Sequence, residues 1–103
     1  MNSEDLVKKL TKNKVLIFPE ETLTEVLKLK NLKILWEDET HISGKIRILK
    51  LNKNFIIQET TLNHELCLRK MKNLKEAKSF IQERLNTYEK MWDGCGCKVD
   101  YYR

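Results

Sequence analysis

The chain has 103 residues, enough to bury one hydrophobic core but hardly two. Its composition, 41% hydrophobic and 34% charged, is ordinary for a globular protein, and no run approaches the roughly 20 apolar residues of a membrane span. The N-terminus, MNSED, is acidic where a secretory signal is basic, and three cysteines are an odd number for a disulfide framework. These features predict one α+β domain, residues 1–103, in the cytoplasm and without a membrane segment.

The net charge of +5 is spread evenly along the chain. Residues 1–53 carry 11 basic and 8 acidic side chains, and residues 54–103 carry 9 and 7. A modest positive balance of this kind is typical of a solvated surface, and it is also compatible with a polyanionic partner such as nucleic acid.

Residues 1–30 have the pattern of a helix, a strand and a second helix. Ser3 is suited to cap a helix that runs to about residue 12, because acidic residues follow it and apolar residues then recur at helical spacing. Residues 14–18, KVLIF, are typical of a strand. Pro19 fits the first turn of a helix over residues 19–30, with Asn31 as its stop.

Residues 32–71 alternate between apolar and polar side chains and predict a four-stranded antiparallel meander. The predicted strands are 32–38, 41–51, 55–60 and 65–71. The link Asn52-Lys53-Asn54 suits a hairpin, because asparagine tolerates positive φ.

Alternation along these strands divides their side chains between two faces of the sheet. The predicted core face carries Ile46, Ile48, Phe55, Ile57, Leu66 and Leu68. The opposite face carries Arg47, Leu49, Leu51, Ile56, Gln58, Cys67 and Arg69. The second set is too apolar to be left in water, so we expect either the N-terminal segment or a second subunit of a homodimer to cover it.

A long helix is predicted over residues 73–93. Asn73 and Glu76 resemble a capping box at its start, and Gly94 is suited to end it before a tail of residues 94–103. Its apolar stripe, which is expected to pack on the core face of the sheet, consists of Ala77, Phe80, Ile81, Leu85, Tyr88 and Trp92.

The sequence Asp93-Gly94-Cys95-Gly96-Cys97 is the most unusual local feature. Glycine on both sides of Cys95 lets two sulfurs approach one point, as a soft metal or a thiol–disulfide pair requires. Zinc in a structural site usually has four ligands. Candidates to complete the set with Asp93 are His41, His64, Cys67 or the cysteines of a second chain.

Electrostatics rank three interpretations of Cys95 and Cys97. The negative end of the preceding helix and Asp93 disfavour a free thiolate but favour a bound cation, so zinc or another soft metal comes first. A redox pair comes second. The structural alternative is a glycine-rich helix stop with incidental cysteines, and Cys67 is best explained as a small packed side chain.

A second cluster of chemically notable residues surrounds the start of the long helix, where cations oppose the helix dipole. Its members are Arg69, Lys70, Lys72, Lys75 and Lys78. Such a group can bind phosphates or a nucleic-acid backbone, although a charge run is more often simply a solvated face.

No pattern of nucleophile, base and acid indicates a catalytic residue. The leading interpretation is a small non-enzymatic binding or adaptor protein with a possible metal or thiol site at Cys95 and Cys97. The alternative is a nucleic-acid-binding domain that uses residues 69–78, and a thiol–disulfide redox protein is third. The expected partner is an unidentified protein or a second copy of the chain, with nucleic acid as the alternative.

Overall fold

The computed structural model describes residues 2–40, 44–61 and 63–94. Within these ranges the chain forms three helices and five strands. In chain order they are α1 (Ser3–Asn13), β1 (Val15–Pro19), α2 (Thr22–Leu27), β2 (Leu32–Thr40), β3 (Gly44–Leu51), β4 (Asn54–Thr60), β5 (Glu65–Met71) and α3 (Leu74–Gly94). The α+β class predicted from the sequence is confirmed.

All five strands join one antiparallel sheet in the order β1-β5-β4-β3-β2. The four-stranded meander predicted for residues 32–71 is part of this larger sheet, because the strand predicted at residues 14–18 adds to the free edge of β5, with Ile17 opposite Cys67. Pro19 ends this edge strand instead of starting a helix, which is compatible with its missing N–H because an edge has unpaired positions.

Helices α1 and α2 cover one face of the sheet. Leu6 and Leu10 of α1 and Val26 of α2 are almost completely buried. They pack against a set of sheet residues consisting of Leu49, Leu51, Ile56, Leu66 and Leu68. The expectation that the N-terminal segment covers the apolar second face is confirmed. The second helix has only 6 residues, far fewer than the predicted range 19–30.

Helix α3 covers the opposite face. Ala77, Phe80, Ile81 and Leu85 pack against Ile46, Ile48, Phe55 and Ile57, as the apolar stripe predicts. The side chains of Tyr88 and Trp92, which would continue the stripe, lie outside the described part of the chain.

The predicted faces of β5 were reversed. Leu66 and Leu68 lie in the core beneath α1 and α2, whereas Arg69 lies over the ring of Phe80 on the α3 side. The register that pairs Ile57 with Arg69 decides this. Both faces of the sheet are covered, so β5 has no solvated face by which alternation could select the correct side.

The turn and cap residues predicted from the sequence agree with the structure at two asparagines but not at the start of α1. Asn52 has φ 57° in the β3–β4 turn, and Asn31 has φ 67° before β2, as expected of asparagine. The cap of α1 is Asn2 instead of Ser3, since Asn2 Oδ1 accepts a hydrogen bond from Asp5 N at 2.8 Å. No helix within the described ranges is long and apolar enough to cross a membrane.

Candidate anion-binding cleft

One end of the sheet, here called the hairpin end, brings distant lysines together. The β3–β4 turn, the end of β5 and the start of β2 all lie there because the strands are antiparallel, and α1 ends and α3 begins beside them. A cleft of ≈ 570 Å³, here called the basic cleft, opens at this end. It is lined by Thr11, Lys14, Lys53, Asn54, Lys70, Met71, Lys72 and Glu76.

A backbone hydrogen bond holds two of these lysines side by side. Lys70 N donates to Lys14 O at 2.8 Å, which ties the end of α1 to β5. Lys70 Nζ donates to Thr11 Oγ1 at 3.1 Å. The cleft wall is thus built by strand pairing between residues more than fifty positions apart in the chain.

Lys14 has an unfavourable backbone conformation for its residue type. Its φ is 66°, and its N–H donates to Leu10 O at 2.7 Å to close α1. Its ψ is −35°, which lies outside the left-handed helical region, and glycine is the usual residue at such a position because Cβ crowds the backbone when φ is positive. A lysine here has a conformational cost with no compensating side-chain packing, since its side chain is exposed.

The start of α3 forms another wall of the cleft. Asn73 Oδ1 accepts from Glu76 N at 2.8 Å, and Glu76 Oε1 accepts from Lys72 N at 3.4 Å, so the predicted capping interaction is present. Because Asn73 and Glu76 already occupy donors at the helix start, the positive potential of the cleft comes from the lysine side chains.

The structure divides the predicted cluster of residues 69–78. Lys70 and Lys72 line the basic cleft, but Lys75 and Lys78 do not. Arg69 points to the α3 face, where its guanidinium lies 4.8 Å from the ring centre of Phe80. Proximity in sequence therefore grouped residues that the fold separates.

Sequence reasoning missed Lys14 and Lys53 as members of the cleft. The meander contained a signal for Lys53, because an antiparallel β5 must end next to the turn that precedes β4. Lys14 had no such signal, since its position depends on the pairing of β1 with β5.

A separate buried cluster surrounds Cys67 on the α3 face. Burial raises the pKa of the Cys67 thiol, and the opposing charges of Arg69 and Arg84 reduce that rise only in part. Arg84 Nη2 lies 3.4 Å from Glu59 Oε1, and its guanidinium lies 4.9 Å from the Phe80 ring centre. This environment favours a protonated, inert thiol.

The opposite face of the sheet contains a second buried polar group. Arg47 Nε donates to Glu37 Oε2 at 3.0 Å, and Arg47 Nη1 donates to Gln58 Oε1 at 2.6 Å. Gln58 is fully buried and Arg47 nearly so, and Gln58 Nε2 has no hydrogen-bond partner among the described residues. We interpret this group as structural.

The predicted metal or thiol residues Cys95 and Cys97 lie outside the described residues, as does the side chain of Asp93 at the end of α3. Among candidate additional ligands, His41 is also outside, and Cys67 is a buried free cysteine. His64 Nδ1 lies 3.2 Å from Glu20 Oε2 at the surface. No group of three metal-ligating side chains occurs within the described part of the chain.

No model of a known protein family, no curated protein and no solved structure matches this chain. The chemistry of the basic cleft is therefore the basis on which function is inferred.

Proposed function

We propose that this chain is a small non-enzymatic binding protein that holds the phosphate groups of a polyanionic ligand, with nucleic acid as the candidate, in the basic cleft. The observation that carries the proposal is the convergence of Lys14, Lys53, Lys70 and Lys72 on one concave surface. Phosphate-binding surfaces are built from such lysines, because each is a compact positive charge with three donors.

The composition of the cleft supports binding more than a solvated surface. Four lysines face a single carboxylate, that of Glu76, whereas the charges of the whole chain are much more nearly balanced. Like charges in one concavity repel each other, and an anion relieves that repulsion. The conformational cost at Lys14 also supports a role for this side chain beyond folding.

A pair of matched variants tests the proposal. Lys72→Gln removes a charge from the cleft, and Lys78→Gln removes the same charge from the exposed surface of α3. The probe is a fluorescein-labelled 12-base-pair DNA duplex, titrated by anisotropy from 50 to 200 mM salt. We expect Lys72→Gln to weaken binding and to reduce the slope of log K against log salt by about 1.

Lys78→Gln is expected to leave that slope almost unchanged. Equal losses in the two variants would show that only general surface charge matters, and absence of salt-dependent binding by the unmodified protein would refute the proposal. Circular dichroism of both variants checks that the fold is retained.

The metal or thiol function of Cys95 and Cys97 stays a prediction from the sequence.

A further inference from the structure

The basic cleft is one of three adjoining concavities along the hairpin end of the sheet. A second, of ≈ 400 Å³, shares Lys53 with the cleft and adds Lys33 and Lys50. A third, also ≈ 400 Å³, shares Asn31 and Asn52 with the second and adds Lys30. Shared lining residues make the three continuous, and we call them together the lysine track.

The lysine track concentrates the positive charge of the chain. Seven lysines and two glutamates line it, so its net charge of +5 equals that of the whole sequence. The remaining residues are balanced on average. The fold therefore brings together lysines that are spread along the sequence, and a concave basic surface of this kind is typical of proteins that bind polyanions.

The far part of the track contains a like-charge pair that folding alone would disfavour. Lys33 of β2 and Lys50 of β3 are direct cross-strand partners. Two positive charges opposite each other destabilise a strand pair. Lys50 Nζ lies 5.7 Å from the Phe55 ring centre, which offsets part of the repulsion, but Lys33 is exposed. A ligand phosphate near both ammonium groups would remove this cost.

The length of the track allows contact with more than one phosphate. It crosses the ends of β5, β4, β3 and β2, which are spaced by about 4.8 Å, so it spans about 14 Å before the reach of the lysine side chains is added. Successive phosphates on one strand of B-form DNA advance about 3.4 Å along the helix axis and are further apart along the strand itself, so the track is long enough to contact more than one of them.

Two asparagines at the centre of the track indicate the chemical class of the polyanion. Asn31 Nδ2 donates to Asn52 Oδ1 at 3.2 Å, and both residues line two of the concavities. Amides donate and accept hydrogen bonds, so they match sugars and bases as well as phosphates. A concave path also suits a linear polymer better than a flat membrane surface.

We infer that one strand of a nucleic acid lies along the lysine track, from Lys70 and Lys72 past Lys53 to Lys33 and Lys50. This inference rests on the proposed function and extends the contact surface beyond the basic cleft. Lysine contacts to phosphates carry no base identity, so binding through the track is tolerant of sequence.

The test uses Lys33→Gln with Lys45→Gln as its matched control. Both residues are exposed strand lysines in the β2–β3 pair, but Lys45 lies at the opposite end of β3 from Lys50. With the same 12-base-pair duplex, we expect Lys33→Gln to reduce the salt slope by about 1 and Lys45→Gln to leave it unchanged. The unfolding midpoint of Lys33→Gln is expected to be no lower than that of the unmodified protein, because repulsion with Lys50 is relieved.

The ligand class is tested with Asn52→Gly, which keeps the positive φ of the turn but removes the amide. We expect it to weaken binding of the DNA duplex more than binding of inorganic polyphosphate of similar charge. Equal effects on the two probes, or tighter binding to vesicles of anionic lipid than to DNA, would overturn the assignment to nucleic acid. A loss in Lys72→Gln but none in Lys33→Gln would confine binding to the basic cleft and leave the proposed function intact, whereas no loss in either variant would refute both.

Discussion

Replacement of Lys14 by glycine separates the stability of the fold from binding in the cleft. The residue has φ 66° and closes α1 through a backbone N–H that glycine retains. Positive φ costs a residue with a Cβ about 1–2 kcal/mol, and glycine loses about 0.5–1 kcal/mol through its greater freedom in the unfolded chain. The net expectation for Lys14→Gly is a gain of about 0.5–1 kcal/mol in the free energy of unfolding.

Urea denaturation measures this gain. For a small protein with an m value of about 1–3 kcal/mol/M, the midpoint should rise by a few tenths of a molar unit with m unchanged. The same variant should bind the DNA duplex more weakly, because one ammonium group has left the basic cleft. A substitution that stabilises the protein and weakens binding is expected at a residue whose side chain contributes to ligand binding but not to folding.

Lys14→Ala is the matched control. It removes the same charge but keeps a Cβ at positive φ, so we expect the binding loss without the gain in stability. If alanine and glycine stabilised the protein equally, backbone strain at this residue would be the wrong explanation. If neither variant altered binding, Lys14 would have no place in the site.

Three further predictions concern other parts of the chain. Phe80→Ala should lower the free energy of unfolding, measured by chemical denaturation, by about 3 kcal/mol. This is at the low end for large-to-small core changes because the ring is only half-buried. A loss below about 1 kcal/mol would contradict its packing role. Because the pKa of Cys67 is raised in the folded state, its thiol ionises more readily when unfolded, so stability should fall as pH rises above about 9.0. Cys67→Ala should flatten that fall relative to the unmodified protein in denaturation at several pH values. If Cys95 and Cys97 bind zinc, elemental analysis of untagged protein should find stoichiometric metal that is released as pH falls and is lost in Cys95→Ser; metal-free, fully stable protein with fast-reacting thiols would favour the redox pair instead.

Local signals in the sequence determined much of the secondary structure. The alternating runs placed β3, β4 and β5 within a few residues of their observed bounds, and β5 was predicted correctly as 65–71. The Asn73 cap and the apolar stripe located α3, because capping and helical periodicity depend on residues only three or four positions apart. The excess of apolar residues on the second sheet face likewise predicted that something must cover it.

Tertiary structure alone decided how these elements combine. Strand register decides three features: the pairing of β1 with β5, the sheet face on which Leu66 and Leu68 lie, and the separation of Arg69 from the lysines of the basic cleft. Alternation of apolar and polar residues cannot specify that register when both sheet faces are buried. The same register brings Lys14 beside Lys70 and places Lys33 opposite Lys50. Residue types and local periodicity determine what each segment forms, but the position of a charge in space depends on contacts between segments that are distant in the chain, and the lysine track is a product of those contacts.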